Sequence, residues 1–384
     1  MKKFERLITM GGAKMQQDAG RAGALLTIDL GAIRSNYRLL QNKLDGALCG
    51  AAVKADAYGL GVLPVSQALV AEGCRHLFVA HLEEAIAVRP HVPETVAIYV
   101  MHGAPRGYEP EFIEHRCIPV LNSREQIAAW SSLAAARQSA LPAIMQFDTG
   151  MSRMGLSGQE VQGLLADTDA LRGIDVRYLM SHLACAEDQA HPMNQKQLAA
   201  FKALRAQFPG CGASLANSSG IFLGAEFHFD LARPGAALYG VAPVAGAANP
   251  MQAVVRLQGA IIQTRELAPG TGVGYSLTWQ SAQPSRIATV AVGYADGWLR
   301  SLSNRGVAHI AGVEAPMVGN VSMDTITLDV SQVPLEHLQA GSLVDLISAN
   351  NTVDQVAARA GTIGYEILTS LGARYQRRYV GEVT

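Results

Sequence analysis

Lys54 stands where a fold gains nothing from a lysine. It closes the apolar run Cys49 to Val53 (CGAAV), which reads as a short strand buried on both faces, and it opens a glycine-bearing turn, ADAYGLG. One reading is that the side chain snorkels from a strand end into water. The other is an amine held in a partly apolar site, where it forms a Schiff base with a carbonyl compound and later serves as a base. Tyr58 follows, and Gly59 and Gly61 let backbone come close to a ligand. The second reading needs phosphate donors, a partner for a ring nitrogen and a second acid/base group elsewhere in the chain.

Candidates for all three are present. Arg233 lies in LARPGAALYG, with Gly235 after it. Alone it reads equally well as a rim salt bridge. Facing a pyridine nitrogen, it keeps that nitrogen unprotonated and the ring a weaker electron sink, which suits a carbanion that must be quenched quickly. Ser218, in NSSG, reads as a helix cap or a phosphate donor, and the two are compatible. His182, in MSHLACAED, reads by itself as a core histidine. Tyr275 sits in GTGVGYSLTW, where no periodicity demands a buried aromatic, so its phenol is expected to be exposed at a tip.

The elements that must position these groups follow a rhythm. Short apolar runs recur at Cys49–Val53, His76–Ala80, Val96–Met101, Cys117–Leu121, Ala143–Phe147, Val176–Met180, Ala213–Ala216 and Phe229–Ala232. Helix-length segments lie between them, among them Leu63–Glu72, Ser123–Arg137, Ser157–Leu171 and Gln195–Phe208. The alternation predicts an α/β fold, a (βα)8 TIM-like barrel over residues 25–256. An open doubly wound sheet is the alternative. The barrel is preferred because Lys54, His81, His102, Asn122, Asp148, His182, Asn217 and Arg233 all fall just after strand ends. Ahead of it, LLTIDL reads as a strand, and Asp29 as the cap of a helix with Leu30, Ile33, Tyr37 and Leu40 on one face. From 257 to 384 the strand-like runs are joined by Gly/Pro turns, with no helix-length insert until Val353–Ala360, which predicts a mainly β C-terminal domain. Residues 1–24 read as a loosely ordered leader with no apolar core of a signal sequence.

Composition narrows the partners. Thirty-one basic and 32 acidic residues leave a formal charge of -1, so there is no field to hold nucleic acid or an anionic membrane. A small-molecule substrate is expected. The five cysteines are scattered and odd in number, which points to reduced thiols in the cytoplasm, and none is spaced as a metal site.

The blocks AVKADAYG, DTGMSRMG, SHLACA, NSSG, RPGAALYG, GVGYS, GYADGW, VGNVSMD and TIGYE, in this order from about Leu25 to Tyr379, resemble the alanine racemase family. The resemblance implies a homodimer of two-domain subunits with active sites shared between them, and pyridoxal 5'-phosphate bound through Lys54. It implies that Arg233 faces the pyridine nitrogen, and that Tyr58, Ser218, Tyr365 and the backbone of Gly235 and Ala236 hold the phosphate. His182 would pack by the ring and hydrogen-bond to Tyr275 of the other subunit. Arg153 and the Met323 N–H would bind the substrate carboxylate, with Asp324 beside them, and Tyr294, Arg300 and Glu187 would stand at the entrance. Lys54 and Tyr275 would be the two bases of an alanine racemase that supplies D-alanine for peptidoglycan. Both must be lowered from free values of about 10.4 and 10. Two positions depart from the family pattern. Gln146 stands where members often carry a carbamylated lysine, and its amide oxygen is expected to accept from Arg153, with an anion such as chloride filling the missing charge. Asn320 stands where arginine is common. The alternatives are a racemase of wider range acting on serine or basic amino acids, a non-catalytic pyridoxal phosphate-binding protein without the β domain, and a decarboxylase, which would pair the ring nitrogen with an acid.

Overall fold

A computed structural model describes residues 21–381 apart from Thr168. The leader expected over residues 1–24 therefore lies, up to residue 20, outside the described residues. The chain divides into two compact units, Ile33–Gln252 and a second that joins the stretch through Ala32 to the chain from Ala253 onward.

The first unit is a closed parallel barrel. Its strands are Leu48–Cys49 continued by Ala51–Ala52, then His76–Val79, Ala97–Val100, Ile118–Leu121, Leu141–Gln146, Ile174–Met180, Gly212–Ser214 and Leu231–Ala232. Each pairs in parallel with the next through Gly212–Ser214. Closure comes from the last strand, which pairs Leu231 with Leu48 and Ala232 with Cys49. On its other side the Asp230 and Arg233 amides donate to Ala213 O at 3.0 Å and Ala216 O at 2.9 Å. The runs are continuously apolar because both faces are covered: Val53, Phe78, Val79, Val100, Leu121, Ile144, Met145 and Leu179 are all sealed from water. The expected eight-strand alternation is thus the observed one.

Helix boundaries follow their caps. Ser123 Oγ accepts from the Gln126 amide ahead of Arg124–Arg137. Ser157 and Glu160 form a capping box ahead of Gly158–Ala166. This second helix stops short of the expected Leu171, because Asp167 turns out of helical conformation (φ -106°, ψ 94°). The helix expected from Gln195 begins earlier, at Pro192, whose fixed φ suits a first helical turn.

The second unit is an eight-stranded, mainly antiparallel sheet. Its spine is the long strand Val255–Leu267, which pairs with Ala24–Asp29, Ser285–Val290 and Leu343–Ile347. One boundary differs from expectation. Ala24–Asp29, placed by sequence at the start of the barrel, belongs to this sheet, flanked by Val255–Leu267 and, in parallel, by Gln376–Val380. It joins because Leu25, Leu26 and Ile28 are buried there, at 1 % exposure or less. Asp29 then caps the helix Leu30–Lys43 through its Oδ1, which accepts from the Ala32 amide at 2.9 Å. Among the described residues no helix is long and apolar enough to cross a membrane.

Candidate active site

Lys54 leaves the C-terminal end of the first barrel strand, the rim where barrel folds carry their chemistry. The residues after it do something unusual. Ala55, Asp56, Ala57 and Tyr58 have φ of 54°, 54°, 51° and 57°, one turn of left-handed helix built without glycine. Each such residue costs about 1–2 kcal/mol, so the surroundings must hold the turn in place. Part of that support is local: Ala57 N donates to Val53 O and Gly61 N to Asp56 O, both at 2.9 Å, and Asp56 Oδ1 accepts from Val62 N at 2.7 Å. Burial lowers the Lys54 ammonium, the Arg153 charge lowers it further, and Glu84 opposes them. The result is an amine closer to its nucleophilic neutral form than a surface lysine.

Arg233 projects from the end of the eighth strand into a buried setting, 5 % exposed. Its Nη1 donates to Ser214 Oγ at 2.5 Å, and its Nη2 to Ser181 O at 2.7 Å and His182 Nδ1 at 3.5 Å. Nothing in the sequence marks Ser181 and Ser214 for this role, because a serine at a strand end carries no signal of its own. Burial pulls Arg233 down to about 9, so it stays cationic at neutral pH. Burial, reinforced by the Arg233 charge, holds His182 down at about 3. Its neutral state has a measurable consequence. An unfolded histidine takes up a proton near about 6.5 and the folded one does not, so this group leaves stability untouched above that pH. As pH falls from there toward about 3 it subtracts up to about 1.4 kcal/mol per unit. Denaturant titrations of His182→Gln across this range are expected to give a shallower pH slope than the parent.

Tyr58, Ser218 and Gly235 converge from the ends of the first, seventh and eighth strands. Ser218 Oγ accepts from the amides of Gly235 at 2.9 Å and Ala237 at 3.2 Å. A Cβ on Gly235 would fall 2.3 Å from the Tyr58 hydroxyl and 3.2 Å from Ala52 Cβ. Ala236 opens the short 3-10 turn Ala236–Tyr239. These amides, the Ser218 hydroxyl and the Tyr58 phenol form a polar cradle that only glycine at 235 leaves open. Gly235→Ala is expected to retain the barrel yet lose most bound phosphate ligand, measured by equilibrium dialysis against pyridoxal phosphate.

Arg153 is carried by the DTGMSR turn, which Asp148 organises: its Oδ1 accepts from the amides of Gly150, Met151 and Ser152 at 2.9, 2.9 and 3.1 Å. Burial alone would raise the Asp148 carboxyl, but those three N–H groups hold it low. The Arg153 side chain is exposed. The hydrogen bond expected between Arg153 and Gln146 is not formed. Gln146 is buried and its Nε2 donates instead to Met154 O at 3.5 Å, which turns the amide toward its own loop.

The remaining expected residues lie in the β unit. Tyr275 is 71 % exposed, at a tip as its surroundings predict. Its loop is bent by Gly274, Ser276 and Leu277 at φ 72°, 61° and 44°, and Asn320 Nδ2 donates to the Tyr275 carbonyl at 2.9 Å. Met323 is exposed, and its carbonyl accepts from the Ala295 amide at 2.9 Å. Asp324 is held by Arg374 Nη1 at 2.7 Å, while Arg374 also grips the buried Asp296 with Nε and Nη2 at 2.6 and 2.8 Å. One guanidinium so ties the GYADGW and VSMD segments together, a role that nothing in the local sequence around Arg374 announces. Tyr365, 38 % exposed, sits in the first turn of the helix Gly364–Ser370.

Two family models match the chain, alanine racemase N-terminal domain over residues 28–243 and alanine racemase C-terminal domain over residues 254–379. The chain belongs to the alanine racemase family. Among its relatives, a catabolic alanine racemase of Mesorhizobium japonicum is 51 % identical over 94 % of both chains. An alanine racemase of Rhodospirillum rubrum is 49 % identical over 94 % of this chain and 97 % of the other. The crystal structure of alanine racemase from Bartonella henselae with covalently bound pyridoxal phosphate superposes with a TM-score of 0.90 at 43 % identity, covering 93 % of this chain and 99 % of that one. Alanine racemases are pyridoxal phosphate-dependent racemases. The residues here fit that group: a half-buried amine, a buried cationic guanidinium and a cradle that a single Cβ would fill.

Proposed function

We propose that the protein interconverts L- and D-alanine, with pyridoxal 5'-phosphate carried on Lys54 and two bases acting on opposite faces of the substrate. The observation that carries this reading is a half-buried lysine at the barrel rim, in the same unit as a polar cradle that a Cβ would close and a buried arginine. Tyr58, Ser218, Tyr365 and the amides of Gly235 and Ala236 take the phosphate. Arg233 would face the ring nitrogen and, itself cationic, would disfavour a proton there. Bound pyridoxal phosphate supplies the electron withdrawal that acidifies the substrate Cα–H. Arg153 and the Met323 amide orient the carboxylate, with Asp324 beside them. Lys54 Nζ takes or returns the α-proton on the D face, and the Tyr275 phenol of a second subunit does so on the L face. The exposure of Tyr275 within its own chain supports its use by a partner copy, which makes the homodimer part of the mechanism.

The test is racemisation of L-alanine, L-serine, L-lysine and L-arginine by the purified protein, read by chiral chromatography alongside cofactor absorbance. Fast turnover confined to alanine is the expected outcome. Comparable rates on the longer substrates would replace the reading with a wider racemase, and cofactor binding without turnover would replace it with a carrier. We place the protein in the cytoplasm, in keeping with five unpaired cysteines. Two cellular uses are open to it: supply of D-alanine to peptidoglycan, or a part in alanine breakdown, which the naming of the Mesorhizobium japonicum and Agrobacterium fabrum relatives as catabolic favours. Deletion that leaves cell-wall growth intact but impairs growth on one alanine enantiomer as sole carbon source selects the second.

A further inference from the structure

The left-handed turn after Lys54 carries the Ala55 amide out of the barrel ladder and onto a side chain from the next helix. Ala52 N donates across the barrel to Pro234 O at 2.8 Å and Val53 N to Phe78 O at 2.9 Å, but Ala55 N points out of the ladder. It donates to Glu84 Oε1 at 2.6 Å. The other oxygen of the same carboxylate accepts from Ala80 N at 2.7 Å and His81 N at 3.1 Å, at the end of the second strand. Glu84 lies in the first turn of the helix Leu82–Val88, where an anion is stabilised by the helix N-terminus. A capping box accounts for its bond to His81 and for nothing at Ala55.

We propose that Glu84 is a positioning residue for Lys54: by clamping the Ala55 amide it holds the left-handed turn so that the lysine amine meets the substrate α-carbon on one face. The inference rests on the reading of Lys54 as the D-face base. Three N–H donors converge on two oxygens, a demand met only by a group that is all acceptor. Glu84→Gln keeps the size but converts one oxygen to a donor, so that either Ala55 or the Ala80–His81 pair meets N–H with N–H. Glu84 is also the negative group that opposes Arg153 at the lysine, so the substitution removes that counter-charge as well.

Two readouts test it. In the holoenzyme in D2O, loss of the α-proton from D-alanine, the step in which the Cα–H bond breaks and the proton passes to Lys54, is expected to fall about tenfold or more in Glu84→Gln, in line with the cost of small misplacements. Exchange from L-alanine without inversion should rise relative to racemisation. In the cofactor-free protein, amide hydrogen exchange should accelerate across residues 53–61 and stay at the parent rate in Leu141–Gln146. Unchanged protection at 53–61 overturns the proposal, and so does lost protection with D- and L-side exchange falling equally, since the clamp would then serve only stability. Should Glu84→Gln not fold, Glu84→Asp, whose shorter arm cannot reach both strand ends, must show the same one-sided loss. The underlying reading fails separately, if Lys54→Ala still exchanges the D-alanine proton.

Discussion

Lys54→Ala will take racemisation below detection, a loss greater than about 10⁴-fold or about 5.5 kcal/mol of transition-state stabilisation, because one substitution removes the covalent hold on the cofactor and one of two bases. The purified variant is expected to release its cofactor on dialysis and to lose its yellow absorbance, while its far-UV circular dichroism stays that of the parent. The fold has no stake in this side chain: it leaves the strand half-buried, and among the described residues its amine has no hydrogen-bond or ion-pair partner. A variant that keeps covalently bound cofactor would overturn the assignment.

Tyr275→Phe separates the two halves of the reaction. The ring stays at its exposed tip and the Asn320 bond to the backbone carbonyl is untouched, so cofactor content should not change. What disappears is the hydroxyl. Losing one positioned acid/base group costs about 10²–10⁴-fold, and racemisation in both directions should fall by that factor. Deuterium should still enter D-alanine from solvent at close to the parent rate, because the lysine face is intact. Full racemisation by this variant would sink the two-base assignment.

What the sequence could and could not announce has physical causes. The barrel strands are legible because burial on both faces leaves uninterrupted apolar runs, and Val353–Ala360 is legible as a helix-length segment whose start the structure fixes with a capping box of Thr352 and Gln355. Gln376–Val380 was not legible: QRRYV carries no apolar run, and it becomes a strand only by lying beside Ala24–Asp29 from the other end of the chain. The same pairing draws Ala24–Asp29 away from the barrel, where its place in the sequence alone would put it. The left-handed turn at Ala55–Tyr58 contains none of the glycine or asparagine that usually marks such backbone, and its support comes from Glu84, which in sequence reads as an ordinary solvated helix charge. Gln146 could be recognised as a departure, but its partner depends on how the following loop folds back, and that brought Met154 O rather than Arg153.

The pairing of Ala24–Asp29 with Gln376–Val380 also sets an order of events during synthesis. The first of these strands leaves the ribosome before any of the barrel, and its parallel neighbour only after all of it. Throughout that interval the barrel can close behind it while Leu25, Leu26 and Ile28 wait for their full sheet, a non-local pairing of the kind that forms slowly and exposes sticky edges meanwhile. A nascent chain interrupted before residue 376 would therefore carry Ala24–Asp29 with one edge unpaired, the kind of open edge that invites pairing with other chains.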